Sequence, residues 1–293
     1  MRIALPAGAD RAWAVDGVEL SIAASEVLCL VGESGSGKTV CAHAALGLLP
    51  PTLQRRSGRV LLEGVDLAGL GPQELRALRG RRVAMVFQEP MSALNPLMPV
   101  GDQVGEVLQV HGARDRGAIE ARVLALLAQV GLPDPDGLRR RLPFELSGGQ
   151  RQRVVIAMAL ALEPVLLIAD EPTTALDVTT QAQILALLRG LQRRMGMAVL
   201  FVTHDFGVVA EVADRVAVMR QGRIIEQGTA QAVLHAPAHP YTRALIDAAF
   251  LSEPMPPARV DRKAPPLLAV SGLSVRLGAG AAAAPWPWRT RRP

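Results

Sequence analysis

The sequence predicts an α/β fold, with buried strands that alternate with helices and a helical stretch between them. Three observations predict it. Short uncharged apolar runs at Val27–Val31, Val165–Ala169 and Ala198–Val202 read as strands buried on both faces, and each stops abruptly at polar residues. A glycine-rich turn follows the first run and opens into the helix-like "CAHAALGLL". Between residues 91 and 145, "AIEARVLALLAQVGL" carries helical periodicity. With 293 residues, 49% hydrophobic but only 3% aromatic, the core must be aliphatic, and the chain is long enough for one large domain or two small ones.

Taken in order, the first strand leads into Gly32, Glu33, Ser34, Gly35, Ser36, Gly37, Lys38 and Thr39, a Gly-x-x-x-x-Gly-Lys-Thr phosphate-binding loop in its required strand–loop–helix setting. The glycines let backbone N–H groups turn inward, and the helix N-terminus adds partial positive charge. Lys38 can reach β- and γ-phosphates, and the Thr39 hydroxyl can ligate Mg2+. Further on, "AIEARVLALLAQVGL" sets Ile119, Val123, Leu126, Leu127 and Val130 on one helical stripe. "LSGGQ", Leu146 to Gln150, then places Ser147, Gly148, Gly149 and Gln150 before an apolar helix, a second backbone anion site. A bare Ser N-cap would explain Ser147, but not the whole pentapeptide just upstream of an Asp-Glu strand end. One triphosphate already has its cradle at Gly32 to Thr39, so this second element suits the nucleotide of another chain. The strand from Val165 emerges at Asp170, placed to hold Mg2+, and Glu171 points elsewhere, placed as general base on an attacking water. His204 stands at the end of the strand from Ala198.

Composition closes off several classes. Net charge is +5, from 32 Lys and Arg against 27 Asp and Glu, much of it in the clusters "RRSGR", "RGRR", "RRR" and "RTRRP". With so few aromatics between them, a nucleic-acid stacking surface is not supported, and solvated helix ends and loops are expected there. No window reaches the ~18 apolar residues of a bilayer crossing. The first ten residues lack a signal-peptide core. A cytosolic protein able to dock on a membrane partner is expected. Cys29 and Cys41 are expected to be buried reduced thiols, which leaves too few cysteines for zinc or an iron–sulfur centre.

These motifs, in this order over residues 14 to 250, resemble the ATP-binding subunit of ABC transporters. The resemblance implies an α/β P-loop nucleoside-triphosphatase core with a mixed sheet, an inserted helical subdomain and a short C-terminal extension; two such subunits face head to tail, each ATP lying between one subunit's phosphate loop and the other's "LSGGQ". It further implies that Gln88 in "VFQEP" joins the two subdomains and senses Mg2+ and the water. Ala175-Leu176-Asp177 resembles the loop crossing the dimer interface, and His204 the histidine that contacts the γ-phosphate. By the same resemblance the α/β core spans 1–88 and 146–230 and the helical subdomain 89–145. The partners implied are a second ATP-binding subunit, identical or paralogous, two transmembrane permease subunits and, indirectly, an extracytoplasmic solute-binding protein. The chain would then sit on the cytoplasmic face of the membrane.

"VFQEPMSALNPLMPVGDQV" and "GTAQAVLHAPAHPYTRALI" resemble the di- and oligopeptide importer branch, with nickel and glutathione carriers as close relatives, and assign 231–264 to its C-terminal segment. The rivals are an ABC-type ATPase acting on DNA or the ribosome, whose coiled-coil or zinc insertions are absent, and a catalytically silent subunit, which the presence of Lys38, Asp170, Glu171 and His204 disfavours. Two departures stand out. The aromatic that stacks on adenine in the family is expected near Pro6 to Gly8, where none stands. Trp13 is expected to pack beneath the first strands, and nucleotide binding to be weaker and less base-selective. "MRIALP" reads as a clipped first strand. "PPLLAVSGLSVRLG" in 265–293 reads as the opening strand of a second ATPase domain, with a disordered tail as the alternative.

Overall fold

The computed structural model describes residues 1–87, 93–174, 176–250 and 268–274. It divides into two units, Met1–Ser252 and Glu253–Pro293. Within the first, a six-stranded mixed sheet carries the site. Its strands in chain order are β3 (Val27–Val31), β7 (Val83–Val86), β8 (Leu166–Asp170), β9 (Ala198–Thr203), β10 (Arg215–Arg220) and β11 (Arg223–Thr229). The spatial order is β11-β10-β3-β9-β8-β7, all parallel except the terminal β10–β11 hairpin. β8 begins and ends one residue later than its apolar run, so Asp170 is the last residue of the strand.

Both sheet faces are covered, which is why the strands read as continuous apolar runs. Successive residues alternate between two cores. Val27, Cys29 and Val31 join Val199 and Phe201 against the helices. Leu28 and Leu30 join Leu200, Val202 and Met219 on the opposite face. On that second face lie α1 (Lys38–Ala45) and a small antiparallel sheet ordered β2-β1-β4. That sheet comprises β1 (Arg2–Ala4), β2 (Trp13–Val15) and β4 (Gln54–Ser57). β1 is paired on both sides, although the sequence reads as a clipped strand. Arg55 and Arg56 lie on exposed β4, not in the loop or helix end expected for that basic cluster.

Between β7 and β8 come α3 (Val100–Val110), α4 (Arg116–Gln129), α5 (Pro135–Leu138) and α6 (Gly148–Leu160), preceded in the chain by α2 (Pro72–Leu78). The predicted stripe is buried: Ile119, Val123, Leu126, Leu127 and Val130 all lie in the larger core. α4 starts at an Asp115 cap whose carboxylate accepts from the Ala118 N–H at 3.0 Å. The chain continues through α7 (Val178–Met195), α8 (Phe206–Val212), α9 (Ala230–His235) and α10 (Pro240–Phe250). Among the described residues no helix is long and apolar enough to cross a membrane. Cys29 and Cys41 are buried and unpaired, and burial pushes both thiol pKa values up, that of Cys41 to about 12.

In the second unit, the described residues Leu268–Ser274 form no strand and expose Leu268, Val270 and Leu273. The remainder of the strand expected over 265–278 lies outside the described residues.

Candidate functional site

A cavity of about 720 Å³ opens at the C-terminal edge of β3, β8 and β9. Parallel strands ending on one edge gather residues far apart in sequence, which is why three separate strand-end motifs meet here. Gly32 to Gly35 and Gly37 form one wall, and α1 begins at Lys38. Gly37 has φ +106°, and a Cβ there would strike the carbonyl oxygen of Ala14 on β2, so only glycine lets the loop close under that strand. Lys38 is 5% exposed, and its Nζ donates to the carbonyls of Gly32 (2.8 Å) and Glu33 (3.0 Å). Burial lowers its pKa, opposed by the carboxylates of Glu171 and Asp170.

Asp170 is 3% exposed and accepts from the Thr39 hydroxyl at 3.2 Å. Burial raises its pKa, and the bond from Thr39 works against that rise. A hydroxyl and a buried carboxylate converging beside a phosphate cradle suit a hard divalent cation that takes its other ligands from phosphate and water. Among the described residues no cluster of three His, Cys, Asp or Glu could hold a metal unaided.

Glu171 follows Asp170 just past the end of β8, and its backbone is unusual. Its φ is +46°, the left-handed region that costs a side-chain-bearing residue about 1–2 kcal/mol. The turn is held by its N–H donating to the Val202 carbonyl at 2.9 Å. The carboxylate accepts from the Thr174 hydroxyl at 3.1 Å and meets His204 Nδ1 at 2.9 Å. Its side chain is 15% exposed, that of His204 54%, so the carboxylate sits inside the cavity and the imidazole at its mouth.

The other predicted residues lie elsewhere. Ser147 caps α6 reciprocally: its hydroxyl accepts from Gln150 N–H at 3.2 Å, and Gln150 Oε1 accepts from Ser147 N–H at 3.0 Å. Asp177 caps α7, accepting from the Thr180 N–H (3.0 Å) and hydroxyl (2.7 Å). These two caps adjoin. A Cβ on Gly149 would fall 2.5 Å from Thr180 Cγ2, and one on Gly148 3.5 Å from Leu176 Cδ2. Ser147–Gln150 and Asp177 thus share one patch, and none of them lines the cavity. Gln88 and Ala175 lie outside the described residues.

Sequence reasoning missed Thr174, Arg11, Leu5 and Leu245, which also line the cavity. Thr174 carries a local signal, three residues after Glu171 in a turn. The other three reach the cavity only through tertiary packing. Trp13 does not line it; its ring lies under the Arg2 guanidinium, 5.9 Å from centroid.

Comparison with known proteins agrees with this geometry. Residues 15–174 match the family described as ABC transporter, and 225–268 match the oligopeptide/dipeptide transporter C-terminal region. The dipeptide transport ATP-binding protein DppD of Bacillus subtilis is 50% identical over 234 residues, 80% of this chain and 70% of that protein. The peptidoglycan transport ATP-binding protein YejF of Agrobacterium fabrum is 51% identical over 255 residues, 87% of this chain. The glutathione import ATP-binding protein GsiA of Escherichia coli is 47% identical over 260 residues, 85% of this chain. The chain spans only 47% of YejF and 41% of GsiA. The ATP-binding cassette MJ0796, solved as a dimer in a post-hydrolysis state with ADP and Pi, superposes with a TM-score of 0.68 at 30% identity, covering 78% of this chain and 96% of that one. The buried phosphate-loop lysine, the Asp-Glu strand end beside it and these matches lead to one conclusion: the chain belongs to the ABC transporter family.

Proposed function

We propose that the chain is the ATP-binding, ATP-hydrolysing subunit that energises a membrane importer for di- or oligopeptides or related small solutes. The observation that carries this reading is the division of its site residues. Lys38, Thr39, Glu171 and His204 line one cavity, and buried Asp170 is bonded to Thr39, while Ser147–Gln150 and Asp177 form a patch apart from it. A chain with a phosphate cradle and a separate phosphate-reading turn suits a head-to-tail pair, each partner's turn closing the other's cradle.

In this reading the backbone from Gly32 to Thr39 and the Lys38 ammonium bind the β- and γ-phosphates of ATP. Thr39 and Asp170 would hold Mg2+, with Gln88 as a third contributor. When bound, that ion neutralises charge on the β- and γ-phosphates. Glu171 accepts the proton of the attacking water, and Thr174 and the left-handed turn aim its carboxylate. His204 stands at the cavity mouth to meet the γ-phosphate and to orient Glu171 through its 2.9 Å contact. Loss of the γ-phosphate removes what the two subunits share, which opens the pair.

The peptide branch is supported by the "HPYT" segment, now seen as the start of α10, and by relatives named for dipeptide transport and glutathione import. An apolar groove of about 510 Å³, lined by Leu46, Leu48, Met85, Phe87, Val155 and Met158, is the surface we assign to a permease subunit. Leu48 (37% exposed) and Phe87 (40%) offer it side chains to cover. The partners are then a second ATP-binding subunit, two permease subunits and, through them, a solute-binding protein, with the chain on the cytoplasmic membrane face. The division into a core of 1–88 and 146–230, a helical subdomain of 89–145 and a tail segment of 231–264 belongs to the same proposal.

The test is Mg2+-dependent ATP turnover by the purified chain across protein concentration. Turnover per chain should rise with concentration as pairs form. Full-speed turnover by a chain that remains monomeric would overturn the shared-site reading.

A further inference from the structure

The cavity's phosphate end is well supplied, yet among the described residues no Phe, Tyr or Trp side chain lines the cavity to receive a nucleoside base, and the His204 imidazole is engaged with Glu171. What remains of the lining is Leu5, Arg11, Ala14, Val40 and Leu245. Among these, Arg11 alone carries a planar group. Leu5 and Arg11 stand at the two ends of the loop joining β1 and β2, which is closed by the Leu5 N–H donating to the Ala12 carbonyl at 3.0 Å. Arg11 is also fixed in orientation. Its Nε donates to the Trp13 carbonyl at 3.1 Å and its Nη2 to the carbonyl of Gly35 within the phosphate loop. A guanidinium held by in-plane bonds to two carbonyls keeps its faces for other contacts.

We propose that Arg11 is the base platform of the nucleotide site: its guanidinium plane stacks on the purine, with Leu5 and Leu245 enclosing the base at its edges. This rests on the ATP-binding reading above. The chemistry favours a flat partner. A guanidinium pinned in its plane by two of its five N–H donors still presents both π-faces, and such planes stack on nucleobases. Because every base presents a π-face, the platform predicts little discrimination between ATP and GTP. It also couples base to phosphates, since the same guanidinium is bonded to the Gly35 carbonyl of the cradle.

The experiment titrates the full chain, wild type and variants, with ATP and with inorganic tripolyphosphate in Mg2+ by calorimetry. The second ligand has the phosphates and no base. Arg11→Ala should weaken ATP by about three- to fivefold while leaving tripolyphosphate unchanged. Arg11→Lys, which keeps the charge and loses the plane, should not restore ATP affinity; Arg11→Trp, which keeps a plane, should. If Arg11→Ala weakens both ligands alike and Arg11→Lys restores them, Arg11 serves phosphate charge and the proposal is overturned. An unchanged ATP affinity in Arg11→Ala overturns it too. Wild-type protein that binds neither ligand would overturn the ATP reading itself, an outcome distinct from the other two.

Discussion

Replacing Glu171 with Gln separates basicity from shape. The amide is isosteric, its oxygen can still accept from the Thr174 hydroxyl now 3.1 Å from the carboxylate, and the left-handed turn imposes the same strain on either side chain. What disappears is the proton acceptor. A positioned general base contributes about 10²–10⁴ in rate, so turnover should fall at least about 100-fold. That corresponds to roughly 2.7 kcal/mol or more on the barrier. ATP binding should not fall with it. Glu171 is one of two carboxylates that hold the Lys38 pKa up, and removing its negative charge from the cavity should leave ATP affinity equal or slightly higher. The assay is steady-state phosphate release alongside ATP titration of the same preparation. Wild-type turnover in Glu171→Gln would refute the assignment of the base. Lost ATP affinity would refute the separation of binding from chemistry.

Two further outcomes follow from the geometry. Asp170 has a pKa raised above the ordinary 3.8 by burial, so the folded state disfavours its charge. That penalty is absent below 3.8, where the group is neutral folded or unfolded, and complete once pH exceeds the raised folded value. Asp170→Asn should therefore raise the melting temperature at neutral pH, with the gain shrinking as pH falls towards 3.8; a gain independent of pH would contradict the burial argument. Gly149→Ala would place a methyl 2.5 Å from Thr180 Cγ2, displacing the residue whose hydroxyl and backbone N–H serve Asp177. It should cost about 1–3 kcal/mol in local packing and impair ATP-driven pairing, read by sedimentation, without weakening ATP binding to the single chain.

Most of the phosphate end was legible in the sequence for a physical reason. Lys38, Asp170 and His204 each follow an apolar run, and parallel strands finish on a common edge, so three local patterns imply one site. The burial of Ile119 to Val130 was legible too, because helical periodicity records a face directly. Pairing across long separations was not. Arg55 and Arg56 form a strand only because β4 finds β1 some fifty residues away, and nothing in "RRSGR" advertises that partner. Arg11 escaped for a similar reason. Its use depends on a hairpin folding over Gly35, twenty-four residues on. Thr174 meets the Glu171 carboxylate only because the backbone turns there, and its spacing of three residues is the one local sign of it.

That turn has a consequence for how the sequence is free to drift. At an ordinary exposed position, glycine is the residue that loosens a fold; at position 171 it would relax one, since glycine alone enters the left-handed region without steric cost. Backbone strain by itself therefore favours glycine here, and the contacts of the Glu171 carboxylate with Thr174 and His204 pull the other way. A lineage with no use for this carboxylate would be free to relax the turn.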